Sequence, residues 1–189
     1  MIIKEKGLLR LMKEAYKGSG YTVMVDRVAG EHYLFLSYWG WKAGIRMDAV
    51  PRKVLGLLAE HLGKLPLLGE AFKVQKDSVQ SELFELADDP FKDLLQCIDH
   101  WEQHKIMKRT KLEWDGNQVW QSPRDQSIVL MDPELQKLAA FGDNTFDVRL
   151  EGICLMIKDD CSFAAVNKGY VSDGDKPLLE HLVTMKRTE

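Results

Sequence analysis

No stretch of this chain is long and apolar enough for a bilayer. The longest run without Asp, Glu, Lys or Arg extends from His32 to Trp41, ten residues, against the roughly twenty that a membrane-spanning helix needs. The amino end, Met1-Ile2-Ile3-Lys4-Glu5-Lys6, places charge where a signal peptide carries its apolar core, so a cytoplasmic protein with no membrane contact is expected. Cysteine is scarce and odd in number. Cys97, Cys154 and Cys161 lack the paired spacing of a zinc ribbon or a CxxC redox site, and buried thiols are expected of them. Cys154 and Cys161 flank an expected hairpin tip at Lys158-Asp159-Asp160, which would let them face one another across two strands.

Enzyme signatures are also missing. There is no GxxxxGK[ST] phosphate loop, no GxSxG elbow and no GxGxxG, and Gly18-Ser19-Gly20 reads as a bare turn. No acidic residue stands two places before a lysine, which removes half of a common nuclease site. Asp173-Gly174-Asp175 precedes Pro177 and fits a loop and helix cap better than a calcium loop with its distant Glu. These absences favour a non-enzymatic protein without a cofactor, leaving only catalytic sites assembled from scattered residues.

What is present is the balance of a globular protein: 189 residues, 45% hydrophobic and 29% charged, with a net charge of -3. Asp89-Pro90 and Asp132-Pro133 combine a capping side chain with proline in the first turn, and Pro51 and Pro177 read similarly. Apolar residues then recur at helical spacing: Val54, Leu55, Leu57, Leu58 and Leu62; Phe91, Leu94, Leu95, Ile98 and Trp101; Leu135, Leu138 and Ala139; Leu178, Leu179, Leu182 and Val183. With Leu8, Leu9, Met12, Ala15 and Tyr16, the pattern predicts about five amphipathic helices.

Between them lie segments rich in β-branched and aromatic residues, bounded by Gly, Asn and Asp. Tyr21 to Val28 and His32 to Trp39, joined across Ala29-Gly30-Glu31, predict a hairpin that Gly44 to Met47 extends. Ala71 to Lys76 predicts a short strand. Lys108 to Trp114 and Gln118 to Gln121 flank Asp115-Gly116-Asn117, a strong turn signal, and Ser127 to Met131 follows. Phe146 to Leu150, Ile153 to Ile157 and Ser162 to Val166 predict a C-terminal meander. Short loops between neighbouring strands require antiparallel pairing. The expected class is α+β, with antiparallel sheet packed against the helices. The chain reads as one compact unit, residues 1–189, or as two packed lobes, 1–65 and 90–189, joined by 66–89. In residues 1–80 the order of elements resembles that of secretion chaperones, without a shared motif.

Charge is unevenly placed. Residues 82 to 102 hold Glu82, Glu85, Asp88, Asp89, Asp93, Asp99 and Glu102 against Lys92 alone, and Lys105, Lys108, Arg109 and Lys111 follow directly. Acids early and bases late in a helix oppose its dipole, and an acidic face also steers a basic partner. Aromatic density peaks at Tyr33, Phe35, Tyr38, Trp39 and Trp41. Alternation sends Tyr33, Phe35, Ser37 and Trp39 to one sheet face and His32, Leu34, Leu36 and Tyr38 to the other. A central strand covered on both sides accounts for that pattern; an uncovered side would leave Tyr38, Trp39 and Trp41 as anchors for a partner.

The leading expectation is therefore a protein-binding module of inhibitor, immunity, adaptor or chaperone type, contacting a basic protein surface through Asp88, Asp89, Asp93, Tyr38, Trp39 and Trp41. The first alternative is nucleic-acid binding through Lys105, Lys108, Arg109 and Lys111 with Trp114 as a stacking platform. The second is a metal-dependent enzyme. Cys97, His100 and His104 stand at offsets of three and four, within about 60° of one another on a continuous helix, and offer thiolate and imidazole to a zinc-like ion.

Overall fold

The computed structural model describes residues 1–81, 91–143, 145–169 and 171–185. Its elements are α1 (Glu5–Lys17), β1 (Tyr21–Val28), β2 (Glu31–Tyr38), β3 (Trp41–Arg46), α2 (Arg52–Leu62), β4 (Ala71–Gln75) and β5 (Ser78–Ser81), then α3 (Lys92–Asp99), β6 (Lys105–Trp114), β7 (Asn117–Gln121), β8 (Ile128–Met131), α4 (Pro133–Gln136), β9 (Val148–Glu151), β10 (Cys154–Lys158), β11 (Ser162–Asn167) and α5 (Lys176–Met185). The class is α+β. All the strands join one antiparallel sheet in the order β5-β4-β1-β2-β3-β11-β10-β9-β6-β7-β8. The first and second halves of the chain meet where β3 pairs with β11, from Ile45 opposite Ser162 to Trp41 opposite Val166.

Turn chemistry explains the hairpins. Ala29 and Gly30 both take positive φ, 49° and 89°, and so do Asp115 and Gly116, 48° and 74°. Two left-handed residues in succession match the twist of the flanking strands. The first turn therefore needs only two residues, and Glu31, expected in the loop, pairs with Val28. Trp39-Gly40 makes another two-residue turn, with Gly40 at φ 94° and Tyr38 opposite Trp41. As a result β3 starts three residues before the expected Gly44, and Met47 enters a 3-10 turn. Strand β5 is too polar to be read from pattern. It lies with β4 inside the stretch expected to join two lobes, and both extend the sheet outward from β1.

Helix α4 is a single turn, although apolar spacing predicts a longer one. Asp132 caps it, its Oδ1 accepting from the Glu134 amide at 2.8 Å. Beyond that turn the backbone is committed elsewhere: the Leu138 carbonyl accepts from Lys4 N at 2.9 Å, and Ala139 bridges to Ile3.

The sheet is covered on both faces where it is most apolar, as the pattern of β2 predicts. Leu34 and Leu36 pack with Leu8, Met12, Leu57 and Leu58 of α1 and α2. On the other face Phe35 packs with Phe91, Leu94, Trp101 and Phe163. Strand β6 pairs with β9 through Lys105–Met107 and with β7 from Lys108 onward. This carries β7 and β8 around, so that Trp120, Val129 and Met131 join the α1 and α2 core while Val119 and Leu130 meet Leu179 and Val183 of α5. Among the described residues no helix is long and apolar enough to cross a membrane.

Candidate functional site

The two-residue turn between β2 and β3 separates its tryptophans. Paired residues share a sheet face, so Trp41 follows Tyr38 toward the helices. It is 2% exposed, and its ring centroid lies 6.3 Å from that of Tyr38. Trp39 occupies the tip and is 90% exposed. Of the expected aromatic anchors, Trp41 is thus a core residue, Tyr38 is half-buried against the same core, and Trp39 alone stands in solvent.

Trp39 lies on the rim of a groove of about 1010 Å³ on the α3 face of the sheet. The rim continues through Ser19-Gly20 and through the β9–β10 turn, where Ile153 is 62% exposed. The end of α3 and the segment after it form one wall, with Leu94, Cys97, His100 and His104. The floor follows from strand register. Lys73 on β4 is opposite Thr22 on β1, Thr22 is opposite Ser37 on β2, Ser37 is opposite Lys42 on β3, and Lys42 is opposite Ala165 on β11. These residues form one cross-strand row, two residues along from the apolar row of Met24 and Phe35 that α3 covers. Among the described residues, the side chains of Lys73, Thr22, Ser37 and Lys42 have no hydrogen-bond or ion-pair partner. Glu151, a carboxylate on the lining, is held 2.9 Å from His104 Nδ1.

The groove brings Cys97, His100 and His104 near Trp39, but not as a metal-binding stripe. Helix α3 stops at Asp99, His100 is its cap, and Trp101–Gln103 form a 3-10 turn. The angular spacing that would align the three residues is lost there. His104 also has both ring nitrogens engaged, Nδ1 with Glu151 and Nε2 with the Cys97 carbonyl at 2.8 Å, and His100 Nδ1 meets the Gln96 carbonyl at 3.0 Å. Among the described residues no group of three or more His, Cys, Asp and Glu converges as a metal site. Cys154 is opposite Asn167, and Cys161 precedes β11, so these two cysteines do not face one another across the hairpin.

The basic run lies on β6, which starts one residue beyond His104 of the groove wall, and its residues are not among the described lining. Lys105 Nζ is 2.6 Å from Asp125 and Lys108 Nζ is 3.5 Å from Asp147. The Lys105 ammonium, with the Ser127 hydroxyl and amide, holds the Asp125 carboxyl well below the usual carboxylate range. Arg109 Nε donates to Gln118 at 2.8 Å, and Lys111 is exposed. Trp114 is half-buried beside Val119, Leu130, Leu179 and Val183. Trp101 and Trp120 are buried, Trp101 beneath the cations of Lys158 and Arg149 at 5.0 and 5.9 Å. Of the expected acidic contact, Asp88, Asp89 and the side chain of Asp93 lie outside the described residues.

Neither Lys42 and Lys73 nor Thr22 and Ser37 were singled out by sequence pattern. Ser37 shares a face with Phe35 and Trp39 by simple alternation, which was visible. The lysines join it only through the pairing of β1 with β4 and of β2 with β3.

No family model and no curated protein matches this chain. Among solved structures, it overlaps the DNA polymerase III beta subunit of Thermotoga maritima with a TM-score of 0.40 and 11% identity, covering 90% of this chain and 64% of that one. With the DNA polymerase sliding clamp of Pseudomonas aeruginosa the TM-score is 0.40 and the identity 11%, over 93% of this chain and 66% of the clamp. The chain spans just under two thirds of each of these proteins, and overlap at this level assigns it neither a partner nor an activity.

Proposed function

We propose that this protein is a binding module that holds a protein partner at the groove beside Trp39. The exposure of that indole carries the reading. A tryptophan side chain can bury about 150–250 Å², which corresponds to roughly 4–6 kcal/mol of gross stabilisation at 25 cal/mol per Å². Folding leaves almost all of this unused at the tip of a turn, and a partner that covers the ring gains it, less the costs of association. The groove supplies the rest of an anchoring surface, with Ile153 as a second apolar side chain on its rim and polar groups on its floor. Asp88, Asp89 and Asp93 offer the same partner a further contact for a basic patch.

The test uses Trp39→Ala. A partner captured by the wild-type protein is identified, purified and titrated against both forms. The variant should bind at least tenfold more weakly with an unchanged melting temperature. Equal affinity for the two forms would remove the groove from the interface.

A further inference from the structure

The polar row on the floor says what kind of segment the groove accepts. We propose that it binds an extended acidic stretch of a partner protein, with carboxylates on Lys42 and Lys73 and a bulky apolar side chain against Trp39 and Ile153. This inference rests on the groove being the binding surface.

Lys73, Thr22, Ser37 and Lys42 occupy four neighbouring strands, β4, β1, β2 and β3, at directly opposed positions. Among the described residues no carboxylate pairs with either ammonium group, and none bonds the hydroxyls between them. In a chain with a net charge of -3, two lysines left unpaired on the floor of one groove form a local site for negative charge. The hydroxyls add donors that rotate to suit an acceptor.

Spacing favours a peptide. Neighbouring strands lie about 4.8 Å apart, so the two lysine Cα atoms are separated by three such steps, about 14 Å. An extended chain rises about 3.4 Å per residue, which brings residues i and i+4, on the same side, about 14 Å apart. A peptide crossing the strands thus places carboxylates at i and i+4 over Lys73 and Lys42, with its middle over Thr22 and Ser37. Single-stranded nucleic acid is served less well, because it is held by a track of cations and successive stacking rings. Here the described lining offers two lysines, one fully exposed ring, and the Glu151 carboxylate at one end.

The test selects binders from a displayed library of random twelve-residue peptides on the wild-type protein, then measures labelled synthetic copies by fluorescence anisotropy. Selected sequences should carry at least two Asp or Glu residues together with a bulky apolar residue. Lys42→Glu with Lys73→Glu should weaken them at least tenfold, and Trp39→Ala by a similar factor. If the doubly reversed variant does not fold, Lys42→Gln with Lys73→Gln serves, and a severalfold loss is then expected. Binders that need Trp39 but are neutral or basic, or ignore both lysine substitutions, would overturn the acidic inference and leave the groove standing. Binders indifferent to Trp39 as well would overturn both. Failure to select any peptide, or tighter binding of a labelled oligothymidylate that is lost with the lysines, would overturn the inference too.

Discussion

The ring of Phe163 on β11 lies directly over Gly44 on β3, so close that a Cβ at position 44 would stand 2.1 Å from its Cζ. Gly44→Ala therefore forces the ring out of the space it shares with Tyr33 and Phe35, each with its centroid 5.8 Å away. Urea unfolding should show a loss of about 1–3 kcal/mol. Phe163→Ala costs about 3–5 kcal/mol by itself, but in that background Gly44→Ala should cost almost nothing. Additive losses would mean that the ring does not set the requirement for glycine.

Two helical glycines should respond to alanine with opposite signs. Alanine is favoured over glycine in a helix interior by about 1 kcal/mol. In α2, Gly56 has open space around an added Cβ, so Gly56→Ala should stabilise by roughly 0.5–1 kcal/mol. In α1, Gly7 presses on the loop after α4, where a Cβ would stand 1.7 Å from the Lys137 carbonyl oxygen. Gly7→Ala should lower the melting temperature in spite of its better helix propensity, and a rise would contradict this packing.

His61 makes stability sensitive to mild acid. Its ring stacks on Tyr16 at 3.7 Å between centroids, and Nδ1 lies 3.1 Å from the Tyr21 hydroxyl. Burial lowers its pKa from the ordinary value near 6.5 and Lys13 lowers it further, while Glu60 opposes them. The folded state thus prefers the neutral imidazole. Its contribution is complete above about pH 6.5 and is lost as the pH falls from there through the depressed folded-state value, because the unfolded chain takes up the proton first. Denaturant midpoints measured from pH 7.5 to pH 5 should fall more steeply for the wild-type protein than for His61→Phe. Parallel curves would show that His61 titrates alike in both states.

The basic strand should prove a poor holder of nucleic acid. Lys105 and Lys108 already face Asp125 and Asp147, and nearby Trp101 and Trp120 are buried. Labelled single strands should pass the protein without retention even at about 50 mM salt. Retention that is abolished by Arg109→Glu with Lys111→Glu would reverse this expectation.

Much of the fold was legible because local chemistry and final structure agree. Apolar spacing placed the helices, and Ala29-Gly30 and Asp115-Gly116 announced their turns. The limits of α4 were not legible, since Leu138 and Ala139 are claimed by Lys4 and Ile3, a contact between distant parts of the chain. Nor was the end of α3: the three-and-four spacing of Cys97, His100 and His104 holds only on an unbroken helix, and the chain leaves that helix at Asp99. At the site, the aromatic cluster was visible but not its division, because a two-residue turn at Trp39-Gly40 decides which ring enters the core. The lysines were hidden for a related reason. Cross-strand neighbours are set by register, and Lys73 stands far from Thr22 in sequence.

The seam between β3 and β11 bears on how the protein is made. Synthesis completes β1 to β5 while the partner of β3, the last of the described strands, is still to come. Throughout that interval β3 offers an open row of amides and carbonyls, the kind of edge on which strangers add. Such long-range closure is also slow. Nascent chains stalled before Ser162 should therefore aggregate, or bind chaperones, more readily than chains extended past Asn167.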